Sequence, residues 1–318
     1  IVLRHERMRT VTNYYLLNLA VADASISVFN TGFTWSYNFY YEWRWGEMYC
    51  GVNNLMGITP IAASVFTMIV MSIDRYWAVV HPLRKRPGRR ATVAVIIAIW
   101  LLAFILGLPA GISSHIEQNF FFDNRTVEDA PVCLADNFPD GYADISSIFA
   151  WYDCFIALVN YVVPLCVLSF AYFRVGQVLR QKETVGDCRN HRNLAAKRKA
   201  SNMLALVVFI FMIVWLPYHA YFFFVSYCGV VLMAREITHF VYLNIYWLGM
   251  SSTLFNPIIY YFMNKRFRVG FRYAFRWLPW VDVEECEYSC LLGGGSCLPP
   301  RSSILPSYHS QHKTHTTT

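Results

Sequence analysis

Hydrophobic residues in this chain gather in long runs that charge almost never interrupts. Six stand out: 11–41, broken only by Asp23, then 48–73, 91–114, 154–173, 202–234 and 237–264. Each reaches the roughly 20 residues that a helix needs to cross a bilayer. A soluble domain would not tolerate six such surfaces. The pattern therefore predicts an all-α integral membrane protein with spans at roughly 11–40, 48–78, 90–114, 146–180, 195–228 and 236–262, together a bundle over 1–263. After the last run the pattern changes. Phe267, Phe271 and Phe275 recur every four residues, with Lys265, Arg266, Arg268, Arg272 and Arg276 before, between and after them. That predicts an amphipathic helix over 264–277 lying on an anionic membrane face. Beyond it Gly, Ser, Pro, His and Thr take over, and 278–318 is expected to be a disordered tail.

Charge gives the bundle a direction. Arg4, Arg7 and Arg9 precede the first complete run; Arg84, Lys85, Arg86, Arg89 and Arg90 follow the second. Lys182, Arg189, Arg192, Lys197, Arg198 and Lys199 fill a later connection on the same side, and the amphipathic segment is basic too. The alternate connections hold Arg44, Arg125 and Arg235 against Asp123, Glu128, Asp129, Asp136 and Asp140. The excess of Lys and Arg puts the first set, and the C-terminus, in the cytoplasm. The net charge of +7 thus follows from sidedness, and a nucleic-acid partner is not needed to explain it. Sidedness also sorts the nine cysteines. Cys50 and Cys133 face the oxidising side and are the expected disulfide. Cys228 lies near that side without an assignment. Cys154 and Cys166 fall inside a span, as small apolar fillers. Cys188, Cys286, Cys290 and Cys297 face the reducing side, and the last three lack partners at zinc-site spacing. No nucleophile–base pair or metal cluster points to catalysis.

The run that begins at Cys50 ends in Asp74-Arg75-Tyr76, with His81-Pro82 following. From Cys50 to Arg75 a helix rises roughly 37 Å, enough to put the two on opposite sides of a bilayer. A cysteine at one mouth and Asp-Arg-Tyr at the other resembles the third helix of rhodopsin-class G-protein-coupled receptors. Other positions extend the resemblance. Asp23, a mid-membrane carboxylate and so a functional candidate in itself, matches the class's sodium-coordinating Asp. Ser64 and Asn256 match its two partners, and sodium is the one cofactor-like ion implied. Phe211, Trp215 and Pro217 match the ligand-sensing Trp and its bend in the sixth helix. Asn256-Pro257-Ile258-Ile259-Tyr260 is the NPxxY of the last, and Tyr172 follows the fifth-span Pro164 by eight residues. The resemblance implies a seven-helix bundle in which Arg75 pairs with Asp74 at rest and reaches Tyr172 and a G protein when active. Arrestin is a further implied partner. Because Ile1-Val2-Leu3 looks like the end of a preceding span, the expectation is a longer protein whose first helix lies before this chain. Asn124-Arg125-Thr126 is an N-glycosylation sequon on the outer side.

Met250 stands where opsins carry the Schiff-base lysine, and Gly57 where monoamine receptors carry an Asp. A bulky ligand with many contacts fits better. Trp215-Leu216-Pro217-Tyr218-His219, Trp247-Leu248-Gly249-Met250-Ser251-Ser252-Thr253 and Lys265-Arg266-Phe267-Arg268-Val269-Gly270-Phe271 sharpen the resemblance to the tachykinin (neurokinin) receptor family. It implies a short amidated peptide ligand, a G protein of the Gq type with calcium and phosphoinositide signalling, and a place in the plasma membrane. Asn30, Asn53, Asn54, His219, Phe222 and Tyr242 match its contact positions. Departures are Trp277-Leu278 in place of a palmitoylated Cys pair, Ala110 in place of a Gln, and Asp153 in place of a His. Asp153, below an acidic outer loop, would attract a ligand that is basic near its C-terminus. Two alternatives are another peptide receptor of this class, such as a neuropeptide Y-like one, and an ion-coupled transporter using Asp23. The sequence has no repeated halves with broken helices to favour the transporter.

Overall fold

The computed structural model describes residues 1–40, 42–81, 87–123, 126–142, 146–184, 188–228, 235–283 and 285–293. Long helices dominate: α1 (Val11–Ile26), α2 (Gly32–Tyr40), α3 (Gly46–Val80), α4 (Arg89–Ile112), α5 (Ser147–Ala157), α6 (Val163–Thr184), α7 (Cys188–Cys228), α8 (Arg235–Met250), α9 (Ser252–Met263), α10 (Lys265–Ala274) and the short α11 (Glu285–Tyr288). α1 runs into α2 through a π-helical turn, Ser27–Thr31, and α5 into α6 through another, Leu158–Val162. Joined in this way, five stretches of the described residues are long and apolar enough to cross a membrane: Val11–Tyr40, Gly46–Val80, Arg89–Ile112, Ser147–Gln181 and Arg198–Phe224. Between α4 and α5 lies an antiparallel hairpin, β1 (Ser114–Asp123) with β2 (Thr126–Ala135), which sets Ile116 opposite Cys133. The helical bundle therefore carries one small sheet that hydrophobic runs alone do not predict.

The helices start where local chemistry lets them. Thr10 accepts a hydrogen bond from the Asn13 amide at the head of α1, and Asn264 accepts one from the Arg266 amide at the head of α10. Ahead of α5 the cap has two layers. Ser146 accepts from the Phe149 amide, and Asp140 in turn accepts from the Ser146 hydroxyl at 2.5 Å and the Ile148 amide at 3.0 Å. Those two bonds hold the Asp140 carboxyl below the usual carboxylate range, since they favour its charged form.

The core joins Leu19 of α1, Met68 of α3, Leu168 of α6, Leu204 and Trp215 of α7 and Tyr260 of α9. Outward faces remain apolar: Ile97, Leu101, Ile105 and Ile112 of α4 are 55–75% exposed, as surfaces that meet lipid should be. A polar clasp ties three helices beneath that face. Trp100 donates to Asn18 Oδ1 at 2.8 Å, and Asn18 donates to Thr67 Oγ1 at 2.7 Å. Close approach of α3 and α4 depends on small residues. A Cβ on Gly107 would lie 2.5 Å from Thr59 Oγ1 and 3.0 Å from the Leu55 carbonyl. Gly107→Ala should cost the about 1–3 kcal/mol of stability typical of overpacking, seen as a lower thermal unfolding midpoint of detergent-solubilised protein. An unchanged midpoint would mean that the two helices slide apart at no cost.

Two expectations need correction. The last span, expected as one helix over 236–262, is α8 and α9 with Ser251 between them. Pro257 removes an amide from the ladder in α9. Near the break, Ser251 Oγ donates to the Leu248 carbonyl at 2.6 Å and Thr253 Oγ1 to the Met250 carbonyl at 3.0 Å. Those hydroxyls compete with the helical amides for the same carbonyls. The tail, expected to be disordered over 278–318, is helical over Glu285–Tyr288 and in a π-helical turn over Ser289–Gly293. Leu292 is 3% exposed, Tyr288 stacks on Tyr273 at 3.7 Å between centroids, and Glu287 meets Lys265 at 2.7 Å. Apolar burial against α10 orders this stretch, and the expectation for 294–318 lies outside the described residues. α10 covers Lys265–Ala274: Phe267 is buried against Tyr260, while Phe275, just past its end, is 47% exposed.

Candidate ligand cavity and signalling residues

At the hairpin end the helices splay around a cavity of about 520 Å³, in the range of small-ligand sites. The roof is covalently attached. Cys50 at the start of α3 is disulfide-bonded to Cys133 of β2, as sidedness predicted. The Trp43 amide donates to the Pro131 carbonyl at 2.7 Å, and Asn54 donates to Ser114 Oγ at 2.9 Å. Cys133, Leu134 and Ala135 consequently line the cavity from above.

One wall is a network of amides. The π-helical turn Ser27–Thr31 brings Asn30 inward, where it is 5% exposed. Asn30 Nδ2 donates to the Asn53 carbonyl at 2.9 Å, and Tyr246 donates to Asn30 Oδ1 at 3.2 Å. Asn53 Nδ2 donates to Thr34 Oγ1 at 3.2 Å. The opposite wall comes from α5 and α7. His219 packs on Tyr161 at 4.5 Å between centroids, and half-buried Asp153 faces the cavity. Among the described lining residues Asp153 is the one carboxylate, and none is Lys or Arg. Six of the seven expected ligand residues, Asn30, Asn53, Asn54, Asp153, His219 and Tyr242, thus line one space. Phe222 does not line it. It packs against Tyr218 and Tyr242, with centroids 4.7 and 6.1 Å away, and supports the wall from outside. Sequence reasoning missed Thr34, Tyr37, Tyr152, Asn160 and Tyr246. Thr34 could have been found, because it follows Asn30 by one helical turn.

Trp215 is the floor of this cavity and the ceiling of a second. The second has only about 20 Å³ of free space, room for a particle the size of one water. Asp23, Ser64 and Asn256 all line it, and Asn256 Nδ2 donates to Asp23 Oδ2 at 2.6 Å. Phe211 lines it too and packs on Trp215 at 5.9 Å between centroids, next to the Pro217 interruption of α7. Carboxylate, hydroxyl and amide oxygens form a donor set suited to a hard cation.

At the far end of α3, Arg75 lies 3.9 Å from the Asp74 carboxylate, with their side chains 14% and 11% exposed. Arg75 also donates to Thr12 Oγ1 of α1, a partner that the sequence reading did not foresee. Tyr76 packs with Val79 and Val175 of α6, and the Tyr172 and Tyr260 hydroxyls are enclosed without a hydrogen-bond partner among the described residues. The predicted sequon residue Asn124 lies outside the described residues.

Comparison with known proteins accounts for this pairing of an open cavity at one end with Asp-Arg-Tyr at the other. The family described as 7 transmembrane receptor (rhodopsin family) matches residues 1–260. The Substance-P receptor of Homo sapiens is 40% identical over 90% of this chain and 68% of its own length. The Tachykinin-like peptides receptor 99D of Drosophila melanogaster is 38% identical over 91% of this chain and 55% of its own. For the Neuromedin-K receptor of Rattus norvegicus the figures are 41%, 90% and 61%. The chain therefore spans between about half and two thirds of the length of these relatives. Such proteins are receptors rather than enzymes, and the transporter alternative falls away. With a family match over 260 residues and relatives at about 40% identity, the chain belongs to the rhodopsin family of seven-transmembrane receptors, in its tachykinin-receptor branch.

Proposed function

We propose that this chain is the membrane core of a plasma-membrane receptor that binds a short amidated peptide at the hairpin end and activates a heterotrimeric G protein at the Arg75 end. The observation that carries the reading is the large cavity whose floor, Trp215, is also the wall of the cavity around Asp23. A ligand pressing on Trp215 acts on the residue two positions before Pro217, where α7 lacks a backbone hydrogen bond and can bend. Amide and aromatic walls suit a peptide, whose backbone needs donors and acceptors and whose apolar side chains need cover. The receptor couples to a Gq-type protein, with calcium release as its output, and arrestin binds the same face later. The C-terminus is cytoplasmic. Asp23, Ser64 and Asn256 would hold a sodium ion, which would neutralise the Asp23 charge in the bundle. The test is calcium release in cells expressing the receptor, challenged with a panel of amidated peptides. No response to any peptide would refute the ligand class.

The ligand is basic near its C-terminus, because the cavity offers Asp153 and, among the described lining residues, no Lys or Arg to neutralise it. A charge-assisted bond to Asp153 contributes about 1.5–3 kcal/mol, or roughly ten- to a hundred-fold in potency. Asp153→Asn should cost the basic peptide that much and leave an analogue with norleucine at the basic position nearly unchanged. Equal losses for both peptides would make Asp153 a structural residue.

A further inference from the structure

One residue that lines the outer cavity has a buried side-chain oxygen without a hydrogen-bond partner among the described residues. It is Oδ1 of Asn160. The residue is 4% exposed, so its carboxamide has been taken out of water without the usual compensation. Several other polar residues of the lining are already engaged. Asn30, Asn53 and Thr34 satisfy one another, Asn54 is bonded to Ser114, and Tyr152 donates to the Leu106 carbonyl at 2.8 Å.

Its position is not an accident of a plain helix. Asn160 lies in the π-helical turn Leu158–Val162, whose wider winding turns Asn160 and Tyr161 into the bundle. Tyr161 uses the turn to donate to the Met212 carbonyl at 2.9 Å, whereas Asn160 faces cavity. Asp153 and Asn160 are seven residues apart and line the same space, which puts them about 10 Å apart along the helix. That is about three residues of extended peptide.

We propose that Asn160 is a specificity-determining ligand contact, its side-chain carboxamide pairing with the C-terminal carboxamide of the peptide. The inference rests on the peptide reading above and adds where each end of the ligand sits. The basic group meets Asp153 near the hairpin, and the amidated end reaches Asn160 about three residues deeper. A primary carboxamide is the complement that Asn160 lacks, because each partner offers both an N–H donor and a carbonyl acceptor. A free carboxylate there would bring an unpaired charge into the bundle, and a dialkylated amide would bring no donor.

Asn160→Leu separates this role from a structural one. Replacing an unpaired buried polar group by an apolar one of similar shape removes a penalty. The variant should therefore reach the surface and unfold at the wild-type temperature or above. The probes are synthetic hexapeptides with a basic residue within three positions of the end, each as primary carboxamide, free acid and dimethylamide. On the wild-type receptor the carboxamide should be at least tenfold more potent than the other two. On Asn160→Leu its potency should fall at least tenfold, to the level of the dimethylamide, which should not change. A loss of thermal stability with equal potency losses for carboxamide and dimethylamide would make Asn160 structural and overturn the proposal, while the peptide reading stands. So would unchanged potency of the carboxamide. A wild-type receptor that answers none of the peptides overturns the peptide reading and this pairing with it.

Discussion

Arg75→Ala should abolish G-protein activation while leaving peptide binding within a few-fold of wild type. Arg75 is at the opposite end of α3 from Cys50, 25 residues or roughly 37 Å of helix away, so the substitution touches no wall of the ligand cavity. Its guanidinium is held with little exposure beside Asp74 and Thr12. The Asp74 contact, at 3.9 Å, is long for an arginine–carboxylate pair, which ordinarily closes to about 2.7–2.9 Å. Asp74 thus restrains Arg75 loosely, and an outward swing of α7 about Pro217 would let the charge turn to a partner protein. Truncating one member of a buried hydrogen-bonded charge pair at an interface costs about 2–5 kcal/mol, which is about thirtyfold or more. Peptide binding to membranes and nucleotide exchange on the G protein, measured on the same preparations, separate the two effects. Wild-type nucleotide exchange in the mutant would remove Arg75 from the coupling role.

What could be read from the sequence were the features that need no partner. A helix in lipid must satisfy its backbone internally and keep charge out, so uncharged runs mark where spans can lie. The Cys50–Cys133 bond follows from sidedness, and Asp23 stands out by the cost of a carboxylate in a membrane, whereas its pairing with Asn256 comes from the resemblance to the receptor class. What could not be read depends on neighbours. The π-helical turns at Ser27–Thr31 and Leu158–Val162 each insert about one extra residue, which turns everything beyond them by roughly 100° relative to an uninterrupted α-helix. A face counted at 3.6 residues per turn therefore misplaces Asn160. Phe222 stands behind the lining, and sequence spacing cannot show that: an aromatic on the correct helix is placed by its packing, here against Tyr218 and Tyr242. Thr12 gives no sign in the chain that it meets Arg75, and the ordered stretch Glu285–Gly293 exists because Tyr273, Lys265 and His5 receive it.

Cys133→Ser should lower both the thermal stability of the receptor and its affinity for peptide, the latter by on the order of a hundredfold. Cys50 and Cys133 are separated by 83 positions, a closed loop whose chain-entropy contribution is about 4–5 kcal/mol. The affinity loss has a separate, geometric cause. Cys133, Leu134 and Ala135 form the roof of the cavity, and the hairpin register continues from them to Pro131, whose carbonyl accepts from the Trp43 amide. Without the disulfide the roof keeps that bond and the Asn54–Ser114 bond. Two hydrogen bonds contribute about 0.5–1.5 kcal/mol each, less than the covalent link that they would have to replace. Binding would then have to order the hairpin as well as seat the ligand. Cys50→Ser should do the same damage, and the double mutant should be no worse than either single one, because all three remove one bond. Additive losses in the double mutant, or free thiols at both positions in folded wild-type receptor, would show that the two cysteines act separately.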